Sequence, residues 1–233
     1  MPVNVPRRQI LYLDALRLSA EMAGLAFDHL HELLAGVTER RDGPLQAGKA
    51  VGAILDAYSV IDAVHRFREL LQLTPGLKHN STFELFVRQT NDVRELRHIV
   101  QHLNRKVDRI AREGWAALGT LTWLGPSAVP GGPPSSYILQ AGTFYPGQWT
   151  HGPTVDAYSS LPEGEISAIS LSTAGIRVNL STITDRLRTM IQSLEGPLEE
   201  FAADNERFGS DVLLSFALTP VEETGANPDP DAT

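Results

Sequence analysis

The strongest constraint in this chain is a seam of apolar residues near its start. Leu13, Leu16, Ala20, Ala23, Phe27, Leu30, Leu34 and Val37 follow one another at spacings of 3-4-3-4-3-4-3. An α-helix turns once in about 3.6 residues, so this spacing lines one side of a single helix over about residues 8–38. A seam that long must lie against a partner helix to leave water. Arg40-Arg41-Asp42-Gly43-Pro44 then ends the helix, because Gly favours the turn and Pro cannot continue it.

The same period recurs twice. Ile54, Ala57, Ile61, Val64 and Leu71, with Phe67 beside them, predict a second helix over about 46–73, stopped by Thr74-Pro75-Gly76. Val93, Leu96, Val100, Leu103, Val107 and Ile110 predict a third, running from Ser81 until Gly114 closes it. Ser81-Thr82-Phe83-Glu84 reads as its capping box. The period then falls to two. Residues 115–124, 137–145, 165–173 and 176–181 are rich in β-branched and aromatic side chains and are expected to be strands. Ser167, Ile169, Leu171 and Thr173 are the expected core-facing set, and Thr173-Ala174-Gly175 the expected tight hairpin. Ser127–Ser136 and much of Gln148–Gly164 read as Pro/Gly-rich loops. A fourth helix starts at about Thr182, with Ile183, Leu187, Met190, Ile191, Leu194, Leu198 and Phe201 on its apolar side. Gly196-Pro197 is expected to kink or split it.

The expected fold is therefore α+β and mainly α. Three long antiparallel helices and a C-terminal helix form a bundle with a small inserted antiparallel β-sheet. The division is a helical core over 1–113, a β insertion over 114–181, a returning helix over 182–210 and an acidic, disordered tail over 219–233.

Charge narrows the function. Of the 20 basic and 28 acidic residues, one basic and ten acidic residues lie beyond Leu194, so the body is nearly neutral. A protein that coats DNA generally needs a broad basic face, which this body lacks. No apolar run reaches the ~18 residues of a membrane helix. The first residues carry no apolar leader core, and the chain has no cysteine, so a cytoplasmic protein without disulfides or thiolate metal sites is expected.

Most candidate motifs have plain readings. Gly43-Pro44-Leu45-Gln46-Ala47-Gly48-Lys49-Ala50 approaches a phosphate-binding loop. It lacks the hydroxyl after the Lys and a preceding strand, and reads as a helix–helix turn. His29 and His31 do not share a face and read as surface residues. His65 suits a helix C-terminus, and His79 and His151 lie in loops. No Gly-x-Ser-x-Gly elbow occurs.

His98 and His102 stand apart, one turn from each other on one helix face. Ile99 occupies the place of the Glu in a zinc His-Glu-x-x-His motif, and no third ligand is evident, so no metal or other cofactor is expected. The seam places Arg94, His98, Gln101 and His102 outward and Arg97 on the flank. A solvated helix face has the same composition. Two imidazoles with an arginine also suit phosphodiester chemistry: histidine moves protons near neutral pH, and arginine offsets the charge of the transition state.

Arg97-His98-Ile99-Val100-Gln101-His102 resembles the R-x4-6-H motif of the HEPN superfamily (higher eukaryotes and prokaryotes nucleotide-binding domains). Members are helical bundles. Many are metal-independent ribonucleases of toxin–antitoxin, phage-defence or RNA-processing systems, and typically two chains bring their motifs into one cleft. The resemblance implies that His102 is the catalytic histidine, Arg97 the stabiliser of the transition state and His98 a supporting polar residue. Arg94, Gln101 and Arg105 are the expected RNA-binding neighbours. On a straight helix, residues five apart are offset by roughly 140°, so a kink or a symmetric neighbour is needed to bring Arg97 and His102 together. The expected partners are RNA and a second copy of the chain. Alternatives are a non-enzymatic helical module that docks a protein partner and a nucleotide-binding module without turnover. The acidic tail is a candidate occupant of the basic groove.

Overall fold

The computed structural model of the 233-residue chain describes residues 6–39, 48–75, 77, 80–113, 116–127, 132–140 and 165–203. It is mainly helical with one small antiparallel sheet, as the periodicities imply. The elements, in order, are α1 (Arg7–Glu39), α2 (Lys49–Leu73), α3 (Ser81–Gln89), α4 (Asn91–Gln101), α5 (Leu103–Glu113), β1 (Thr120–Gly125), β2 (Ser135–Gln140), β3 (Ser167–Thr173), β4 (Ile176–Asn179) and α6 (Leu180–Ala203).

The first two seams are buried as expected. Leu16, Ala23, Phe27, Leu30 and Leu34 of α1 are covered, and Leu13, Ala20 and Val37 pack at the margin. All six residues of the α2 seam are buried. The two helices form the most extensive contact in the molecule.

The expected third helix is three helices. The first break is at Thr90, which is wholly buried. Its Oγ1 donates to the Phe86 carbonyl at 2.8 Å, and its own N–H donates to the same oxygen. A hydroxyl bonded back one turn competes with the helix ladder, and one residue caps two helices. The second break is at His102, at φ −114° and ψ 33°. Val107 is exposed while Ile110 is buried, so the apolar seam does not run through this break. The N-cap also differs by one residue. Asn80, not Ser81, accepts from the Phe83 N–H at 2.9 Å, because Asn80 holds the extended backbone of a cap while Ser81 is already helical.

The sheet order is β2-β1-β3-β4, all antiparallel. The expected first strand starts late. Residues 116–119 form a turn ending at Gly119, whose φ is 85° and where a Cβ would come within 2.7 Å of the Ser172 carbonyl oxygen, so a side chain is excluded. The β3–β4 hairpin is the tight one expected, with Ala174 at φ 49° and Gly175 at φ 82°, both positive as a type I′ turn requires. In β3, Ile169, Leu171 and Thr173 are buried as expected, Ser167 is only half-buried, and Ser170 and, just before the strand, Ile166 are buried as well. A bulge at Ala168 (φ 52°) inserts a residue between the pairs Thr122↔Ser170 and Leu124↔Ser167, which shifts the alternation by one.

Bundle and sheet share one core. Leu121, Trp123, Leu139, Ile169, Leu171 and Val178 pack in the same cluster as the buried faces of α1 and α2. Trp123 Nε1 donates to Thr38 Oγ1 at 2.8 Å near the end of α1, and Tyr137 stacks on the indole at 5.6 Å. Helix α6 starts directly from β4, capped by Asn179, whose Oδ1 accepts from the Thr182 N–H. It buries Leu180, Ile183, Leu187 and Met190 and packs on α1, α2, α3 and the sheet. It is continuous across Gly196-Pro197, so the expected split does not occur, since a helix can absorb a proline by forgoing one hydrogen bond. The side chains of Leu198 and Phe201, and the tail, lie outside the described residues. No helix among the described residues is long and apolar enough to cross a membrane.

Candidate functional site

Helix α4 carries the site and owes its placement to Val93 and Leu96. Both are fully buried, and they press the helix against α2 and β4. The polar residues between them are turned outward or sideways. Arg94, His98 and Gln101 are exposed, His102 and Arg97 are half-buried, and Arg105 on α5 is exposed. Arg94, His98 and His102 follow one another four apart along one side of α4 up to its C-cap, and Arg105 follows on α5 beyond the break.

The His98 and His102 rings are in contact, with centroids 4.5 Å apart and planes inclined at 63°. The helix break lies at the second of them. The His102 N–H donates to the His98 carbonyl at 3.1 Å, and its own carbonyl accepts from the Arg105 N–H at 2.9 Å. The imidazole pair therefore sits at a helix break rather than within one uninterrupted helix.

Arg97 is drawn the other way. Its Nε donates to Asp62 Oδ1 on α2 at 2.7 Å. The Gln101 amide is satisfied when its oxygen faces Arg97, with Nη2 and Nη1 then donating at 2.9 and 3.1 Å. The arginine expected to serve a phosphate is thus engaged by a carboxylate and an amide of its own chain.

Two further participants carry no signal in the sequence. Asp62 and His65 lie one turn apart on α2, and only the packing of α4 on α2 brings them to Arg97. His65 is not at the helix C-terminus that its neighbours suggest: α2 continues to Leu73, and the imidazole is half-buried in mid-helix. Its Nδ1 is buried without a hydrogen-bond partner. Burial lowers its pKa, helped by the charges of Arg97 and Arg68 against the opposing pull of Glu69 and Asp62. His29, expected on the surface, is exposed, yet its Nδ1 lies 2.8 Å from the largely covered Asp56 Oδ2. His31 is half-buried beside Phe27. His79 and His151 lie outside the described residues. Helix α1 precedes Gly48-Lys49, as the helix–helix turn reading requires.

No group of three or more metal-ligating side chains is assembled among the described residues. Among the described residues, clefts of about 700 and 250 Å³ lie at α2–α3–α4 and at α3–α6. Neither includes His98 or His102. His98 is exposed and His102 half-buried. Comparison with protein-family models, with curated proteins and with solved structures finds no match.

Proposed function

We propose that this chain is a metal-independent endoribonuclease of HEPN-like type, acting through His98 and His102. The observation that carries the reading is the contact of these two rings at 4.5 Å, with exposed Arg94 one turn before His98 and exposed Arg105 at the start of the next helix. RNA supplies its own nucleophile in the 2′-hydroxyl. His102 takes the 2′-OH proton as the oxygen attacks the adjacent phosphorus. His98 gives a proton to the departing 5′-oxygen, leaving a 2′,3′-cyclic phosphate and a 5′-hydroxyl. Arg94 and Arg105 hold the flanking phosphates. Arg97 shares its charge with Asp62, so it offsets less phosphorane charge than a free guanidinium would. Acid and base come from one chain, so the chemistry needs no second copy. A toxin or defence role and a cytoplasmic setting go with this reading.

The test is cleavage of an RNA pool by the purified chain in EDTA, beside His98→Ala and His102→Ala. The expected result is cleavage by the parent alone, none of a 2′-deoxy substrate, and a cyclic phosphate end. Equal cleavage by all three proteins would assign the activity to another site or a contaminant. The engagement of Arg97 by Asp62 and Gln101 favours a second reading, a non-enzymatic helical module that binds RNA or a protein. Binding without cleavage would decide for it.

A further inference from the structure

Helix α1 carries a second seam that the described residues leave exposed. Leu11, Leu18, Met22 and Leu25 are 62, 40, 50 and 75% exposed. With half-buried Ala15 between them, they fall at spacings of 4-3-4-3. That is the a/d repeat of a coiled coil, on the side of α1 away from its buried seam. The other large exposed apolar residues are dispersed over α2, α3, α5 and the turn before β1. A contiguous apolar stripe on a helix marks an interaction surface.

We propose that this stripe pairs with the same stripe of a second copy, antiparallel and centred on Leu18. Leu11 and Leu25 lie seven residues to either side of it, with Ala15 three before and Met22 four after. A two-fold axis there sets Leu18 against Leu18 of the second copy and Leu11 against Leu25 of the second copy. The same register sets exposed Arg8 opposite Asp28 of the second copy, so the charges at both ends are complementary. Among the described residues Asp28 has a long contact, 3.6 Å, to Arg188. The two acids beside the seam, Asp14 and Glu21, are both held by Arg17 of their own chain, at 3.2 and 2.9 Å, which lowers their repulsion across the axis. The paired stretch is two heptads, short of the roughly three or four of a stable coiled coil, so the dimer is a weak one. It uses none of the residues proposed for RNA cleavage.

The chain has no cysteine, so a single introduced one reports on the contact. Sedimentation of the full chain is expected to show a dimer that dissociates on dilution. Leu18→Glu is expected to give a monomer with unchanged helical circular dichroism. On mild oxidation Leu18→Cys is expected to crosslink fully, and Leu85→Cys, on an exposed position of α3, is not. Arg8→Asp and Asp28→Arg should each weaken the dimer at least tenfold, and the double variant should regain most of it. If Leu18→Glu loses helicity, the cysteine pair decides alone. A parent chain that stays monomeric, a dimer that survives Leu18→Glu, or equal crosslinking of the two cysteine variants overturns the proposal. The first of these would leave the stripe to a helix of another protein, and the second would place the dimer on another face.

Discussion

Arg97 Nε lies 2.7 Å from Asp62 Oδ1, and this ion pair joins α4 to α2 beside the imidazole pair. The two side chains are 32 and 56% exposed, so solvent screens much of the attraction. A double-mutant cycle with Asp62→Ala and Arg97→Ala is expected to give a coupling below about 1 kcal/mol that fades in high salt. Asp62→Ala alone should tighten RNA binding by freeing the guanidinium. An unchanged affinity would show that Arg97 takes no part in RNA contact.

The Trp123–Thr38 bond ties the sheet to the end of α1. Thr38 Oγ1 accepts from the indole and donates to the Leu34 carbonyl at 2.8 Å. Thr38→Val keeps the shape and strands a buried N–H. Denaturant unfolding should show a loss of about 1–3 kcal/mol. A loss below a few tenths would mean that the sheet is held by apolar packing alone.

His65 makes stability depend on pH. Its folded pKa is below the ordinary histidine value, so it favours the folded state above the unfolded pKa of about 6.5. As the pH falls from there through the lowered folded pKa, the unfolded chain takes up the proton first, and that stability is lost. Melting temperatures measured from pH 7.5 down to pH 5 should fall, and His65→Gln should flatten the fall. Parallel curves for the two proteins would remove His65 as the cause.

Two glycines should respond in opposite directions. Gly119 has φ 85°, and a Cβ there would meet the Ser172 carbonyl at 2.7 Å. Gly119→Ala is expected to cost more than about 1 kcal/mol. Gly36 is helical, with nothing within 4 Å of a built Cβ, so Gly36→Ala should stabilise by up to about 1 kcal/mol. The contrast is read from two melting curves.

Tyr58 fastens α2 to the turn before β1 through a 3.0 Å bond from its hydroxyl to the Leu118 carbonyl. Burial pushes its pKa up to about 12. In an absorbance titration one tyrosine should resist ionisation until that range, and Tyr58→Phe should remove it. Ordinary titration of every tyrosine would mean that this hydroxyl is open to water.

The seams of α1 and α2 are legible in the sequence, because helix period and apolar spacing are local properties that burial then obeys. So is the Ala174-Gly175 turn. The breaks at Thr90 and His102 are not. Thr90 lies within the expected helix ahead of its apolar seam and His102 lies inside the uninterrupted 3-4 spacing, and neither carries a Gly or Pro stop signal. The bulge at Ala168 is hidden too, since it is a relation between two strands that lie far apart in sequence.

The candidate site divides in the same way. The sequence alone determined that Arg94, His98 and His102 share an outward helix face, because their spacing and the seam behind them leave no other side. Tertiary structure decided that Arg97 turns from that face to Asp62, that His65 is caught half-buried nearby, and that the helix breaks at His102. Those outcomes depend on which surface of α2 meets α4, and the energy that selects the meeting comes from buried Val93 and Leu96, not from the polar residues it brings together.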